Sequence, residues 1–181
     1  MPRKPNPNLE RTIIDAALRL LQEKGIEAVT MREVARAAGT TTPTIYERFK
    51  DRDHLIDALT DFHRDRLLET LDPDDALERS ASKFFTYCRD NPNIIDLLLK
   101  RIAGNLKAKK RGPMYEMVRI NLMKQNGLDP REAEHVTMAT SSMIFGTAML
   151  MNQLGCSSTV AADLERSTLR LMRRLVVSYK K

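Results

Sequence analysis

The sequence of 181 residues contains no tryptophan, only two cysteines and only seven glycines, and aromatic residues make up 5% of it. Cys88 and Cys156 lie far apart and neither belongs to a CxxC pair, so their spacing supports neither a disulfide framework nor a zinc site. We expect both to be free thiols in a reducing compartment. Because glycine is scarce while alanine, leucine, methionine, arginine and glutamate are abundant, the composition predicts an all-α fold.

Signals for secretion and for membrane insertion are also lacking. The chain begins MPRKPNPN, which has no apolar segment after its basic residues. The longest uncharged run, residues 136–162, is long enough to span a bilayer, but threonine, serine, asparagine and glutamine side chains interrupt it. We interpret this run as a buried helix followed by a turn, and we expect a cytoplasmic protein with no membrane partner.

Charge is distributed unevenly along the chain, whose formal net charge is +6. The most basic segment is residues 100–131, which includes the block KAKKRG at 107–112. This block either attracts an anionic ligand or coenzyme moiety, or forms a solvated loop. Because it lies outside the segment with the clearest binding motif, the net charge indicates nucleic-acid binding only weakly.

The first fifty residues predict three short helices joined by tight turns. Apolar residues at helical spacing in NLERTIIDAALRLLQEKG form the first helix. Thr30 and Glu33 form a capping-box pair at the start of the second helix, and Gly39 ends it. Thr41 is the expected N-cap of the third, with Pro43 in a first turn whose backbone amides lack intrahelical partners. The pattern fits a capping subdomain or a helix-turn-helix module, and the small polar residues that open the third helix favour the module.

Helix signals continue through the rest of the chain. Asp51 is the expected start of a fourth helix, and the Asp72-Pro73 pair is the expected start of a fifth. Asp129, which precedes a proline, predicts the start of a long helix, and Ser158 can cap the last one. These signals predict about nine helices.

Residues 30–55, TMREVARAAGTTTPTIYERFKDRDHL, strongly resemble the DNA-binding domain of the tetracycline-repressor (TetR) family of bacterial regulators. The resemblance covers about residues 8–58. It rests on the threonine before the second helix, the Ala-Gly turn, the Thr-Ile-Tyr pattern and a basic residue three positions after Phe49. It implies a helix-turn-helix domain at residues 1–55, with a basic arm at 1–7, and a helical effector-binding and dimerisation domain at residues 56–181.

The resemblance also implies which residues contact DNA. Thr42 and Pro43 would face base edges, where methyl groups and a proline ring can pack against thymine methyls. Hydroxyl groups, a phenol and helix N-terminal amides suit phosphate oxygens. Arg48 and Arg52 depart from the usual family pattern but keep or add positive charge. Phosphate contacts are implied for Thr30, Thr41, Tyr46 and Arg52, and the full predicted set is Thr30, Thr41, Thr42, Pro43, Thr44, Tyr46, Arg48, Lys50 and Arg52.

The same residues have a purely structural interpretation. Thr41 would then be only a helix cap, Tyr46 a half-buried packing residue and Arg52 a solvated charge. In the arm, Arg3 and Lys4 either enter the minor groove or take no part in binding.

The final two helices contain a stripe of small and apolar residues. Ala139, Met143, Gly146 and Leu150, with Ser142 nearby, allow another helix to approach closely, and Leu164, Leu171 and Leu175 extend the stripe. The resemblance implies a four-helix dimer interface here, and a single recognition helix reads too few base pairs for a genome-wide search. The alternative is that these residues pack only within one chain.

The middle helices are expected to enclose a ligand pocket. The ten methionines suit an adaptable apolar cavity, although apolar stripes of this kind are also typical of ordinary core. The candidate lining residues are Phe62, Phe84, Tyr87, Cys88, Leu98, Met117, Met138, Ser142 and Phe145.

Catalysis has little support in this sequence. His54, Asp57 and Asp61 share a helix face but lack a further ligand, so we expect no metal site. Ser141 and Ser142 lack a GxSxG context and an evident base, and we expect no catalytic residue and no cofactor.

The predicted function is a ligand-responsive, homodimeric repressor that binds a palindromic DNA operator and a small-molecule effector. The alternative is an effector-independent architectural or division-control protein with the same DNA-binding module. A third hypothesis is a ligand-binding or scaffold protein whose module is vestigial.

Overall fold

A computed structural model describes residues 7–91, 93–155 and 158–179, so Arg3, Lys4 and Cys156 lie outside the described residues. Within these ranges the chain forms nine α-helices and one 3-10 helix, without a β-strand, which confirms the all-α prediction. None of these helices is long and apolar enough to cross a membrane. The elements are α1 (Pro7–Lys24), the 3-10 helix (Ile26–Ala28), α2 (Met31–Ala37), α3 (Thr42–Tyr46), α4 (Arg52–Thr70), α5 (Leu77–Asp90), α6 (Ile94–Lys107), α7 (Pro113–Asn126), α8 (Pro130–Leu154) and α9 (Thr159–Ser178).

Side-chain caps begin most of the helices that the sequence predicts. In each case an oxygen accepts a hydrogen bond from a first-turn backbone N–H that has no partner within the helix. At α8 the cap is a complete capping box, since Glu132 also accepts from the backbone N–H of Asp129 at 3.1 Å. The predicted caps that the structure confirms are Thr30, Thr41, Asp51, Asp129 and Ser158.

Helix α5 begins at Leu77, so the predicted start at Asp72-Pro73 is wrong. The intervening residues form a turn in which Asp72 accepts a hydrogen bond from the backbone N–H of Asp74 at 2.9 Å. The buried carboxylate of Asp75 pairs with Lys83 at 2.6 Å, and Asn121 of α7 donates to the backbone carbonyl of Asp75 at 2.8 Å. These tertiary contacts hold the segment outside the helix.

Helices α1, α2 and α3 pack around a common apolar core with the start of α4. The core side chains Ile13, Leu21, Val34, Ile45 and Leu55 are all fully buried. Each of these helices is too short or too polar to be stable alone, so their stability comes from burying one apolar face. This arrangement fixes the position of α3 relative to α1.

Helix α4 connects this N-terminal unit to the remaining helices. It packs against α1 and also against α5 and α6, and the predicted domain boundary at residues 55 and 56 falls inside it. Asn93, just before α6, donates to the backbone carbonyl of Leu21 at the end of α1 at 3.0 Å. A change in the position of α4 would therefore reach both parts of the chain.

Helices α8 and α9 form the most extensive helix pair. The Thr147 and Thr168 hydroxyls join them through a buried hydrogen bond of 2.6 Å. The inward side of α9 consists of Ala161, Thr168, Met172 and Val176. Val160 and Leu171 of the same helix are instead 53% and 52% exposed.

Candidate nucleic-acid interface and ligand cavity

The turn between α2 and α3 presents a short helix to solvent. Gly39 has a φ of +64°, a left-handed conformation that glycine adopts without strain, and it reverses the chain after α2. The Thr41 hydroxyl accepts from the backbone N–H of Thr44 and lies 2.9 Å from the Thr44 hydroxyl. Ile45 and Phe49 anchor the other side of α3 in the core. The tip of α3 is thus held rigidly while its outer face stays open.

Neutral hydroxyl groups dominate this outer face. Thr41 and Pro43 are exposed, Thr42 and Thr44 are half-buried, and the Tyr46 side chain is 52% exposed. Lys50 is exposed and Arg48 is half-buried just after the helix, so positive charge flanks the hydroxyls.

Thr30 and Arg52 have clear roles inside the protein. The Thr30 hydroxyl caps α2 by accepting from the backbone N–H of Glu33 at 3.2 Å. Arg52 donates from Nε to the carbonyl of Val29 at 2.8 Å and from Nη2 to the carbonyl of Ile26 at 2.7 Å. The alternative of a solvated charge is therefore wrong for Arg52, and Nη1 and the second N–H of Nη2 remain for a phosphate contact.

A cavity of about 340 Å³ lies among α4, α5, α6, α7 and α8. Its wall consists mainly of apolar side chains, as in most small-molecule sites. The predicted lining residues that surround it are Phe84, Leu98, Met117, Met138, Ser142 and Phe145.

The other three predicted lining residues lie elsewhere. Tyr87 points toward α4, where its hydroxyl lies 2.8 Å from Nδ1 of His63. Phe62 lies edge-on to the His63 ring, with the guanidinium of Arg66 over its face at 5.3 Å. Cys88 is buried in the core on another side of α5. Sequence periodicity places these residues on helices near the cavity. It does not predict whether a given helix face lines the cavity or packs against another helix.

The predicted lining set leaves out the charged residues of the cavity wall. Four basic side chains and one acidic side chain line it, from α4, α6 and the segment after α6. The basic block at 107–112 is a candidate anion site from the sequence alone. Arg101 directly follows the largely apolar run IIDLLLK, and a basic residue next to such a run is a signal that identifies it as a candidate for the cavity wall. These residues are Asp61, Arg64, Arg101, Lys110 and Arg111.

The outer side of α8 and α9 exposes large apolar side chains. Leu150 is 53% exposed and Ala139 is exposed, whereas Met143 and Gly146 are half-buried. We call the exposed set the α8–α9 apolar face. Several exposed large apolar side chains on one helix pair usually mark a protein interface. The large members of this face are Met149, Leu150, Leu154, Val160, Leu171 and Val177.

The histidines do not form a metal site in the described ranges. The Nδ1 atom of His54 accepts from the backbone N–H of Lys50 at 3.2 Å. Asp57 and Asp61 instead pair with Arg101 at 3.6 and 2.9 Å.

Comparison with known proteins agrees with this geometry. Residues 13–59 match the model for bacterial regulatory proteins of the tetR family. The chain is 28% identical to tetracycline repressor protein class D of Escherichia coli over 146 residues, or 76% of this chain and 64% of that protein. It is 39% identical to the HTH-type transcriptional regulator AcrR of Shigella flexneri over 59 residues, or 31% of this chain and 27% of that protein.

Residues 13–59 therefore carry the N-terminal domain of the TetR family. A TetR variant from Acinetobacter baumannii AYE, solved in complex with minocycline, superimposes with a TM-score of 0.71 over 97% of both chains at 20% identity. That likeness shows the fold alone. The chain spans slightly less than two thirds of the length of the tetracycline repressors it matches.

We expect Arg52 to stabilise this N-terminal domain. Arg52→Gln should lower the free energy of unfolding by about 1–2 kcal/mol, because it removes two hydrogen bonds to backbone carbonyls. Urea unfolding followed by circular dichroism measures this change. Lys50→Gln, which alters an exposed cation two residues away, should change stability by less than about 0.5 kcal/mol. Equal losses in the two variants would contradict the role of Arg52.

Proposed function

We propose that this protein is a transcriptional repressor that binds a two-fold symmetric DNA operator as a homodimer and releases it when a small-molecule effector binds. The observation that carries this proposal is the exposed tip of α3, where Thr41, Pro43 and Tyr46 face solvent on a helix that the core holds rigidly. A repressor of this kind acts on DNA in the bacterial cytoplasm.

The chemistry of the α3 tip suits a DNA duplex. Hydroxyl groups of threonine and tyrosine donate to phosphate oxygens and fix the position of the helix, while the nearby Lys50 adds electrostatic attraction. Thr42 and Pro43 offer apolar surface that can pack against thymine methyl groups in the major groove. Phosphate contacts supply affinity and these two residues supply preference among sequences.

The α8–α9 apolar face supports dimer formation. It leaves side chains such as Leu150, Leu171 and Val177 in water, which costs free energy that a second copy would recover by covering them. Two copies related by two-fold symmetry would place two α3 helices on successive half-sites of the operator.

The effector cavity favours a regulated protein over an effector-independent architectural factor. Helix α4 lines the cavity with Thr60, Asp61 and Arg64, and its N-terminal end packs in the DNA-binding unit. A ligand that prefers one position of α4 would change the separation of the two α3 helices. A coupling of about 1–3 kcal/mol gives a 5- to 150-fold change in DNA affinity.

Selection of bound duplexes from a random pool tests this function. We expect enrichment of an inverted repeat, and a small-molecule screen on the enriched duplex should then find a compound that releases it. A genome-wide binding map with many dispersed sites and no ligand response would support the architectural alternative instead. Absence of any salt-sensitive duplex binding would leave only the ligand-binding or scaffold hypothesis.

Substitutions at the α3 tip should separate the overall affinity for DNA from the preference among DNA sequences. Tyr46→Phe removes a phosphate-binding hydroxyl from both subunits and should weaken binding about ten-fold or more on every duplex. Thr42→Ser removes a methyl group and should alter the ranking of operator variants. Fluorescence anisotropy on the selected operator and its single-base variants measures both effects.

Tyr179→Phe, at the end of α9, is the matched control and should leave DNA affinity unchanged. If Tyr46→Phe changed the ranking of duplexes while Thr42→Ser weakened all of them equally, the assigned roles would be wrong.

A further inference from the structure

One carboxylate on the cavity wall holds two arginines. The Oδ1 atom of Asp61 accepts from Nη1 of Arg64 at 2.5 Å and lies 2.9 Å from Nη2 of Arg101. All three residues line the cavity, and Asp61 is the only acidic residue that does so in the described part of the chain. A cationic effector would therefore find its one potential partner already occupied.

Arg101 retains unused hydrogen-bonding capacity. Within the described residues, every hydrogen bond and ion pair of this side chain uses Nη2: with Asp61, with the Asp57 carboxylate at 3.6 Å and with the Asp57 backbone carbonyl at 3.2 Å. Since a guanidinium carries five N–H donors, Nε and Nη1 of Arg101 can engage a ligand before the Nη2 contacts to α4 break. Lys110, on another part of the wall, forms no ion pair within the described ranges.

The remainder of the wall selects against a wholly polar ligand. Phe84, Phe145, Met117 and Ile102 are among the many apolar residues around the cavity. Burying such a surface against a hydrocarbon or aromatic body is favourable, whereas an isolated charge there requires a partner. The lining thus matches a molecule with a large apolar body and one anionic group.

We propose that the effector is an apolar molecule bearing a single anionic group, and that Arg101 binds this group in exchange for Asp61. The regulatory part of this inference rests on the proposed function. The existing ion pairs are partly exposed, and exposed ion pairs contribute little net stability, so a buried charge-assisted bond to a ligand can replace them.

The exchange would weaken the link between α6 and α4, leaving the Lys100–Asp53 ion pair at 2.7 Å as a remaining tie. Arg101 of α6 is tied to Asp57 and Asp61 of α4, and Asp57 lies only five residues beyond the first residue of α4, Arg52. An effector anion that draws Arg101 into the cavity removes these ties. The N-terminal part of α4, which packs in the DNA-binding unit, would then move more freely.

A pair of fluorescent probes with one skeleton tests the recognition step. 8-Anilino-1-naphthalenesulfonate carries a sulfonate, whereas N-phenyl-1-naphthylamine is the same ring system without it, and both brighten in apolar sites. We expect Arg101→Gln to raise the Kd of the sulfonate probe about ten-fold and to change the Kd of the neutral probe less than two-fold. Asp61→Asn should lower the Kd of the sulfonate probe about three-fold by removing the competing carboxylate.

Arg66→Gln is the matched control, because Arg66 is an exposed arginine of α4 that does not line the cavity. Its effect on either probe should stay below two-fold, and binding of the neutral probe verifies that each variant keeps its cavity. The inference is overturned if the wild type does not bind the sulfonate probe, or if Arg101→Gln affects both probes equally or neither.

The selected duplex tests the regulatory step separately. The sulfonate probe should weaken DNA binding by the wild type and have little effect on Arg101→Gln. If the duplex selection itself fails, the proposed function is wrong, while the probe titrations still decide which ligand class the cavity binds. If the probe binds through Arg101 but DNA affinity stays constant, the exchange does not control α4.

Discussion

Replacing Leu150 with glutamate is expected to convert the protein from a dimer to a monomer at micromolar concentration. Leu150 lies on the α8–α9 apolar face with 53% of its surface exposed in the single chain. In a two-fold symmetric dimer the substitution enters the interface twice, so two carboxylates would lose water without gaining partners. Sedimentation velocity measures the change in mass directly.

The same variant should bind the two-half-site operator about 100-fold more weakly or worse. Linking two DNA-binding units makes the second contact intramolecular, and this avidity typically amounts to a factor of 10²–10⁴. Affinity for an isolated half-site should be unchanged, because the α3 tip is far along the chain from the substitution.

Ile120→Glu provides the control for surface hydrophobicity. Ile120 is 43% exposed on α7, outside the α8–α9 apolar face, so the variant should remain dimeric and keep its operator affinity. If both glutamate variants dissociate alike, or if Leu150→Glu remains a dimer, the α8–α9 apolar face is not the dimer interface.

Local signals account for the parts of the fold that the sequence predicts. A cap such as Thr41 or Asp129 needs only its own helix, because its oxygen binds an N–H two or three residues later. The start of α5 depends instead on Asp75, whose partners are Lys83 and Asn121. Periodicity cannot report contacts between residues distant in sequence, and propensity is overridden where they form.

Sequence periodicity also does not predict whether the apolar face of a helix packs against its own chain or against a second chain. It groups the apolar residues of α9 on one stripe, but the single chain buries Met172 and Val176 while Leu171 stays exposed. Apolar residues at an interface with a second chain have the same spacing in the sequence as apolar residues of an internal core. The α3 tip was easier to predict, because small hydroxyl residues at a helix start are unusual and the family pattern is specific.

The cavity lining is also only partly predictable from sequence periodicity. Aromatic and methionine residues indicate its general composition, and Phe84 and Phe145 lie 5.2 Å apart between ring centroids on its wall. Tyr87 differs because its hydroxyl requires a polar partner, which it finds in His63. The Asp61–Arg101 pair joins α4 to α6, and no local pattern connects two such distant residues.

His63 is an uncharged histidine at the centre of α4. It is 3% exposed, and its Nδ1 lies 2.8 Å from the Tyr87 hydroxyl, which also lies 3.3 Å from the His63 backbone carbonyl. This geometry suits a neutral ring whose Nδ1–H donates to Tyr87 while Tyr87 donates to the carbonyl. Nε2 is enclosed without a hydrogen-bond partner among the described residues, so a proton there would have no acceptor.

Burial, assisted by the nearby positive charge of Arg66, lowers the pKa of His63 from 6.5 to about 4. At pH values between 4 and 6.5, the unfolded chain therefore binds a proton at His63 that the folded chain does not bind. The stabilisation from neutral His63 is fully present above pH 6.5 and is lost as pH falls toward 4. Between pH 7.5 and pH 5 the loss should be about 2 kcal/mol.

His63→Asn should remove this part of the acid sensitivity, because asparagine keeps a polar group near Tyr87 but does not titrate in this range. Urea unfolding at pH 7.5 and pH 5 gives the loss for each variant, and we expect the loss in His63→Asn to be about 2 kcal/mol smaller than in the wild type. His135→Asn, at an exposed position on α8, should retain the wild-type loss. An unchanged loss in His63→Asn would mean that His63 accepts a proton in the folded state as readily as in the unfolded one, and that water or a rearranged side chain reaches Nε2.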